Sequence, residues 1–307
     1  MTTELPRAAG FPGRNVAIHT LGTESSHDET GAVWLRRARR NWPTTLALLF
    51  LLIVGVVAAV PAIFGVPDPL ATAPRAAFLG PSRTYLFGSD DLGRDLFSRT
   101  VYGARVSLGT AIVVVVAAAS IGIPIGLVAG YREGFFDALT MRIIDIVLAF
   151  PAILLAMGLI AVIGAGWGNG ALAVTIVSIP AFARLTRASV LQEKVREYVM
   201  AAQTAGAGMP RILFRTILPN CLGPLLVQAA FVATWAILLE AALSFLGLGV
   251  SPPTPSWGQM LSAGKTFLYR AWWYGFFPGL ALTLVVLSLN TLGETMQRVV
   301  RRGWRSL

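Results

Sequence analysis

The sequence predicts an all-α, polytopic membrane protein with about six transmembrane helices. Of its 307 residues, 55% are hydrophobic and only 13% are charged, whereas soluble domains carry about 25% charged residues. The apolar residues are gathered in long runs, and the backbone of such a run can be paired within lipid only inside a helix or a closed barrel. Composition and run length together therefore indicate a bundle of membrane-spanning helices.

Six apolar runs are long enough to cross a hydrocarbon core of about 30 Å at about 1.5 Å per residue. They cover residues 44–65, 105–130, 139–164, 169–186, 221–247 and 274–296. Residues 1–43 precede the first run, are polar and show no hydrophobic period. This composition predicts a flexible arm.

The distribution of basic residues predicts the orientation of the helices. Most of the 25 Lys and Arg residues lie in four segments, which are the arm, residues 131–142, residues 184–219 and the tail 298–307. Loops rich in Lys and Arg face the cytoplasm, so both termini are predicted to be cytoplasmic. Residues 66–104 and 248–273 are then external, and the proline run of the second favours an extended chain. The basic blocks lack interleaved aromatic residues, which argues against a nucleic-acid partner.

No catalytic, cofactor-binding or metal-binding constellation is evident. His19 and His27 both lie in the arm, and Cys221 is the single cysteine. The string GQMLSAGKT has five residues between its first glycine and the Gly-Lys pair, one more than a nucleotide-binding P-loop allows. We therefore expect a protein that is not an enzyme.

Two carboxylates fall within predicted spans, Asp145 and Glu240. Intramembrane acids are costly, and each could serve proton coupling or substrate contact. No second acid or histidine is stacked along either helix, so we favour buried polar anchors that are hydrogen-bonded or paired with an arginine of a neighbouring segment.

Small residues mark one face of the second span, where Gly122, Gly126 and Gly130 are four residues apart. This spacing lets two helices approach closely. Helix packing is the favoured interpretation, and a role in lining a path is the alternative.

The segment EYVMAAQTAGAGMPRILFRTILPN, residues 197–220, is too polar to span a membrane. Its pattern predicts a helix that Gly206 ends in the left-handed conformation, then a second helix that begins at Pro210 and stops at Pro219. Alanine and glycine dominate the exposed face of this elbow. We interpret it as a docking element, with a helix resting at the lipid interface as the alternative.

This segment resembles the EAA loop of ATP-binding-cassette importer permeases. The matching positions are Met200, Ala201, Ala202, Gly206, Leu218 and Pro219, with Met200 where the family usually has a glutamate. Five further strings resemble the C-type subunit of the dipeptide/oligopeptide permease family. They are FGSDDLGRDLFSRTVYGARVSL (87–108), MRIIDIVLAFP (141–151), IPAFARLTRASVL (179–191), EAALSFLGLGVSPPTPSWGQML (240–261) and FFPGLAL (276–282).

The resemblance implies a type I ABC importer permease fold in a bacterial cell membrane, with residues 105–297 as the permease core. It implies that the chain forms half of a translocation path beside a homologous second permease subunit. Two cytoplasmic ATPases would dock on the elbows and use ATP, an external binding protein would deliver the substrate, and this chain would bind no cofactor itself.

Short peptides are the substrate that the resemblance favours, with nickel chelates, glutathione or haem as alternatives. A stand-alone secondary transporter would need coupling carboxylates and internal symmetry, neither of which is apparent. A polytopic membrane enzyme would need a catalytic constellation.

Overall fold

The computed structural model describes the backbone of residues 42–303 and the side chains of residues 42–300, so residues 1–41 of the predicted arm and 304–307 of the basic tail lie outside the described residues. The described chain is helical apart from its connections and one isolated β-bridge. The helices are α1 (Trp42–Ala59), α2 (Leu96–Arg132), α3 (Gly134–Ala149), α4 (Ala152–Ile163), α5 (Trp167–Glu193), α6 (Glu197–Thr204), α7 (Met209–Phe245), α8 (Trp257–Thr266) and α9 (Trp273–Gly303). Short 3-10 turns at Pro61–Phe64 and Pro74–Ala76 follow α1.

Within the described residues, five helices are long and apolar enough to cross a membrane, and the number is six if α3 and α4 count as one span. The predicted all-α membrane fold is therefore confirmed. The predicted third span, 139–164, is not one straight helix, because α3 and α4 meet at an angle of 91°. Pro151 disfavours helical backbone in the residue before it, and Phe150 is extended, with φ −91° and ψ 140°.

Two hydrophobic clusters hold the helices together. In the first, α2, α4, α5 and α7 meet around residues such as Val114, Ile160, Val174 and Leu239. In the second, Trp257 of α8 packs among α1, α2, α7 and α9. Its indole Nε1 donates to the backbone oxygen of Thr100 at 2.8 Å. Many apolar side chains on the outside of the bundle are exposed, as expected for surfaces that face lipid.

The two predicted external segments are more ordered than an extended chain. Residues 257–266 form α8, which begins at Ser256 because its side chain accepts a hydrogen bond from the backbone of Gln259. The expectation of an extended chain concerned the proline run, whose prolines lie in residues 251–256 and outside the helices, whereas α8, which follows them, was not expected. The helix forms because a capping serine precedes Trp257, whose burial anchors it to the bundle.

The first of the two predicted external segments closes around the buried carboxylate of Asp90. Oδ1 accepts from the backbone nitrogens of Leu92 and Arg94 at 2.9 Å each, and Oδ2 accepts from Arg94 Nε at 2.6 Å. The next acid, Asp95, caps α2 by accepting from the nitrogen of Ser98 at 2.9 Å. These bonds fix the chain that leads into α2, which starts earlier than the span predicted from hydropathy.

Candidate functional site

The loop between α5 and α7 turns on a glycine with left-handed backbone. α6 ends in a Schellman motif: the nitrogen of Gly206 donates to the oxygen of Gln203 at 2.9 Å, and that of Ala207 to Ala202 at 3.1 Å. Gly206 has φ +78°, as its place in the sequence predicts. Only glycine adopts this conformation without a steric cost.

The second part of the loop differs from the predicted elbow. Met209 and Pro210 begin a helix, with Gly208 at the N-cap, but this helix does not stop at Pro219. It continues into the next span through a π-helical segment, Ile212–Ile217. In this widened turn the nitrogen of Leu218 donates to the oxygen five residues earlier. We attribute the continuity to this turn, because it relieves the contact of a proline ring with the carbonyl four residues before it.

Below the loop, apolar side chains anchor it to the core of the bundle. Val199 of α6 and Ile212, Leu213 and Ile217 of α7 are almost fully buried. The face that points away from the core has small or flexible side chains. Its exposed members are Met200, Ala201, Gln203, Thr204, Ala205 and Gly206, and Ala202 is half-buried.

The EAA-like positions therefore divide into two groups. Met200 is 48% exposed and stands on the same surface as Ala201 and Gly206. Leu218 and Pro219 lie within α7, half-buried and exposed respectively. The surface that a partner can reach, which we call the loop surface, is formed by residues 200–206.

Hydrogen bonds tie α6 to the ends of two long helices. The hydroxyl of Tyr198 donates to the buried carboxylate of Glu193 at the end of α5. Gln203 Nε2 donates to the hydroxyl of Tyr131 near the end of α2 at 3.2 Å. Burial, together with the bond to Glu193, raises the pKa of Tyr198 well above its ordinary value. The sequence analysis missed these contacts, since no local pattern joins Tyr131 to Gln203.

Ion pairs connect α3 and the residue before it with α5. Arg187 forms a bidentate ion pair with Asp137: its Nε donates to Oδ1 at 2.5 Å and its Nη2 donates to Oδ2 at 2.6 Å. Glu133 pairs with Lys194 at the loop end of α5. The basic residues before the loop thus hold α3 in place, a role that the charge count alone did not predict.

The two intramembrane acids have different environments. Asp145 pairs with Arg184 of α5 at 2.5 Å, but its side chain is 57% exposed. The expected arginine partner is present, but the expectation that Asp145 is buried was wrong, because this part of α3 is uncovered in the described chain, where Ile143 and Ile146 are exposed as well. Glu240 is 5% exposed and accepts hydrogen bonds from Ser107 at 3.2 Å and Ser244 at 2.7 Å. Its partners are hydroxyl groups and not an arginine.

The glycine stripe of α2 lies directly against α5. A Cβ atom on Gly122 would stand 2.8 Å from the oxygen of Ile179, and one on Gly126 would stand 2.4 Å from the oxygen of Ala183. One on Gly130 would lie 2.9 Å from Val190 Cβ. These distances are too short for any side chain, so the three glycines allow the backbones of α2 and α5 to touch.

Comparison with known proteins gives consistent results. Residues 122–306 match the family described as "Binding-protein-dependent transport system inner membrane component". The chain is 47% identical over 230 residues to the di/tripeptide transport system permease protein DppC of Pseudomonas aeruginosa, covering 75% of this chain and 76% of that protein. It is 47% identical over 225 residues to the dipeptide transport system permease protein DppC of Escherichia coli, covering 73% and 75%.

A solved structure shares the fold. It describes inward facing conformations of the MetNI methionine ABC transporter, matches with a TM-score of 0.54 at 20% identity, and covers 66% of this chain and 95% of that one. At 20% identity, this match supports a shared fold and nothing more.

Proposed function

Since the chain belongs to the family of binding-protein-dependent transport system inner membrane components, we propose that it forms half of the translocation path of an ATP-driven importer for short peptides. The relatives that carry the names of di/tripeptide and dipeptide permeases support this substrate. They favour peptides over nickel chelates, glutathione or haem. The family assignment likewise disfavours a stand-alone secondary transporter.

In this proposal, the energy comes from two ATPase subunits that dock on the loop surface of this chain and of a homologous second permease. The supporting observation is that buried apolar side chains fix the loop to the bundle while small side chains dominate its exposed surface. Buried Val199 and Ile212 fix the loop, while alanine and glycine leave the backbone within reach of a partner. Apart from Met200, the exposed side chains of the loop surface are small or polar, whereas a helix that rests on lipid would expose bulky apolar side chains along its face. This chain binds no cofactor, and its ATPases use the ATP.

The loop surface can be blocked without disturbing the fold. Ala201 is exposed, so we expect Ala201→Trp to fold and to assemble with the second permease, but to lose association with the ATPases and peptide uptake. The matched control is Ala138→Trp, which places the same bulk on an exposed position of α3. Co-purification with the ATPases and uptake of a labelled dipeptide measure the result. Equal association of both variants would remove the loop surface from the proposal.

Substitutions at Gly206 test separately whether the backbone conformation of the loop is needed for ATPase association. A Cβ at this position meets nothing within 4 Å, so the strain of a substitution comes from the backbone and not from a clash. We expect Gly206→Val to cost about 1–3 kcal/mol in the loop and to weaken ATPase association. Gly206→Asn should be milder because asparagine tolerates positive φ. Equal effects of the two variants would show that the backbone conformation of Gly206 is not what matters.

The proposed orientation places both termini and the loop surface in the cytoplasm and residues 66–95 outside. A labelling experiment is straightforward because Cys221 is the single cysteine and is buried. In intact cells, a membrane-impermeant maleimide should label Arg83→Cys, whose position is exposed, and leave Ala201→Cys unlabelled until the cells are opened. The reverse result would invert the orientation.

A further inference from the structure

A polar pocket lies at the end of α2 that is remote from the loop surface. Its volume is about 540 Å³, and its walls come from the start of α2, from α8 and from the chain that follows α7. Arg99 is in the first turn of α2, whereas Tyr131, which contacts the loop, is in its last. At about 1.5 Å per residue, the length of α2 places the two sites roughly 50 Å apart.

One wall of the pocket has a buried cation with an unused donor. The side chain of Arg99 is 3% exposed, and its Nε has no hydrogen-bond partner. The nearest acid is Asp90, whose Oδ2 is 3.5 Å from Arg99 Nε but accepts from Arg94 Nε at 2.6 Å. Arg99 Nη1 donates to the oxygen of Pro69 at 3.2 Å. Arg99 Nε thus has an ion-pair contact with Asp90 but no hydrogen-bond acceptor. Because buried donors are nearly always paired, this pocket-lining side chain has a donor to offer to a ligand.

The pocket also has unused acceptors. The side-chain oxygen of Gln259, in α8, is buried without a donor. Asp91, partly exposed, accepts from the hydroxyl of Tyr274 at 3.1 Å and has a second carboxylate oxygen. Both residues line the same pocket as Arg99. A simple anion would satisfy the guanidinium but not these acceptors, whereas a molecule with both a carboxylate and an ammonium group would satisfy both.

We propose that this pocket binds the charged ends of a short peptide, the carboxylate at Arg99 and the ammonium group at Gln259 and Asp91. The volume falls within the range of about 300–1,000 Å³ that is typical of ligand pockets. The proposal rests on the proposed function, since it takes the transported peptide as the ligand. It adds a receiving site on this chain, on the side where the binding protein would release its cargo.

The first test uses the complete complex with its second permease and ATPases, in lipid nanodiscs, without binding protein and without ATP. Tritiated dialanine should bind saturably. N-acetyl-dialanine and dialanine amide, which each lack one charged end, should bind at least about 10-fold more weakly, the scale of one charge-assisted hydrogen bond. Acetate alone should compete poorly, because it lacks an ammonium group.

Two variants test which charged end of the peptide each side chain of the pocket binds. Gln259→Leu should weaken dialanine about 10-fold but leave N-acetyl-dialanine unchanged, since that compound lacks the ammonium group. Arg99→Lys keeps the charge but loses the planar fork, and should weaken dialanine and N-acetyl-dialanine alike. The control is Gln297→Leu, the same change at an exposed position near the opposite end of the bundle, which should bind dialanine as the unaltered protein does.

Three results would overturn the proposal. They are an absence of dialanine binding in the unaltered complex, equal affinity for the blocked and free peptides, and variants that weaken association of the binding protein while peptide affinity stays the same. The last would assign the pocket to a segment of that protein. Import of dialanine with the binding protein and ATP is measured in parallel. If import occurs and the pocket binds nothing, this inference alone fails, whereas absence of import of any short peptide would reject the proposed function.

Discussion

The two ends of α2 are held in opposite ways. At its beginning, Asp90, Arg99 and the cap at Asp95 form a network of buried charges and hydrogen bonds. At its end, the polar contacts are the Tyr131–Gln203 bond and the Glu133–Lys194 ion pair, which are more exposed, while Gly130 keeps the backbone packed against α5. Buried charged networks are costly to disturb, whereas exposed contacts rearrange at little cost. The polar contacts at the beginning of α2 should therefore be more costly to break than those at its end.

The largest expected effect is at the fixed end. Asp90→Ala removes the acceptor of four contacts, leaves Arg99 without its carboxylate and leaves Arg94 with only the longer contact to Asp91 at 3.7 Å. We expect the free energy of unfolding to fall by about 3–5 kcal/mol, the usual cost of breaking a buried pair by removing one partner. Thermal unfolding in detergent measures it. The control is Asp68→Ala in the same segment, where the lost bond to Leu70 is exposed. Equal shifts in both variants would contradict the comparison.

A smaller effect is expected between the two ends, where α2 touches α5. Gly126→Ala places a Cβ 2.4 Å from the backbone oxygen of Ala183, and overpacking of this kind costs about 1–3 kcal/mol. The control is Gly158→Ala in α4, where a Cβ meets nothing within 4 Å. That variant should be neutral or gain up to about 1 kcal/mol of helix propensity. If Gly126→Ala unfolds at the same temperature as Gly158→Ala, the two helices are not in tight contact.

These contacts show which features of the structure could be predicted from the sequence. The spans, the spacing of Gly122 and Gly126 and the left-handed Gly206 were predictable because each depends on residues within one or two helical turns. A kink at Pro151 was also predictable from the proline itself, but the continuation through Pro219 was not, since a proline can break, kink or be accommodated by a helix. Which of these occurs depends on packing with distant elements.

Side-chain contacts between distant parts of the chain could not be predicted from the sequence either. Nothing near Asp90 in the chain indicates that its carboxylate will face Arg99, and Tyr131 meets Gln203 although three helices, α3, α4 and α5, separate them in the chain. The family resemblance identified the loop surface, but it says nothing about the polar pocket. The lack of a hydrogen-bond partner at Arg99 Nε and at the Gln259 oxygen depends on contacts between segments that are far apart in the sequence.

At the loop end, Tyr198→Phe removes the donor to buried Glu193, and should cost about 1 kcal/mol of local stability. The effect should be visible as faster amide hydrogen exchange over residues 197–206 and not as a large change in global unfolding. Tyr131→Phe, which removes an exposed bond to Gln203, should change exchange less. A reversed order would mean that the contact with α2 controls the loop. Because the pKa of Tyr198 is raised, its contribution is present below the ordinary tyrosine pKa of about 10 and is lost as pH rises above it.

The smallest effect is expected for the pair of Asp145 with Arg184, since both side chains are about half-exposed in the single chain. Arg184→Ala should cost no more than about 1 kcal/mol, and the cost should shrink further in high salt. Arg187→Ala is the matched comparison, because its partner Asp137 is mostly buried and accepts two bonds, so its cost should be larger and less sensitive to salt. Both variants are best measured twice, in the chain alone and in the complex with the second permease. A cost for Arg184→Ala that rises only in the complex would place this pair in the interface between the two permeases. If Arg184→Ala greatly lowered the free energy of unfolding of the chain alone, the assignment of this pair to an exposed surface would be contradicted.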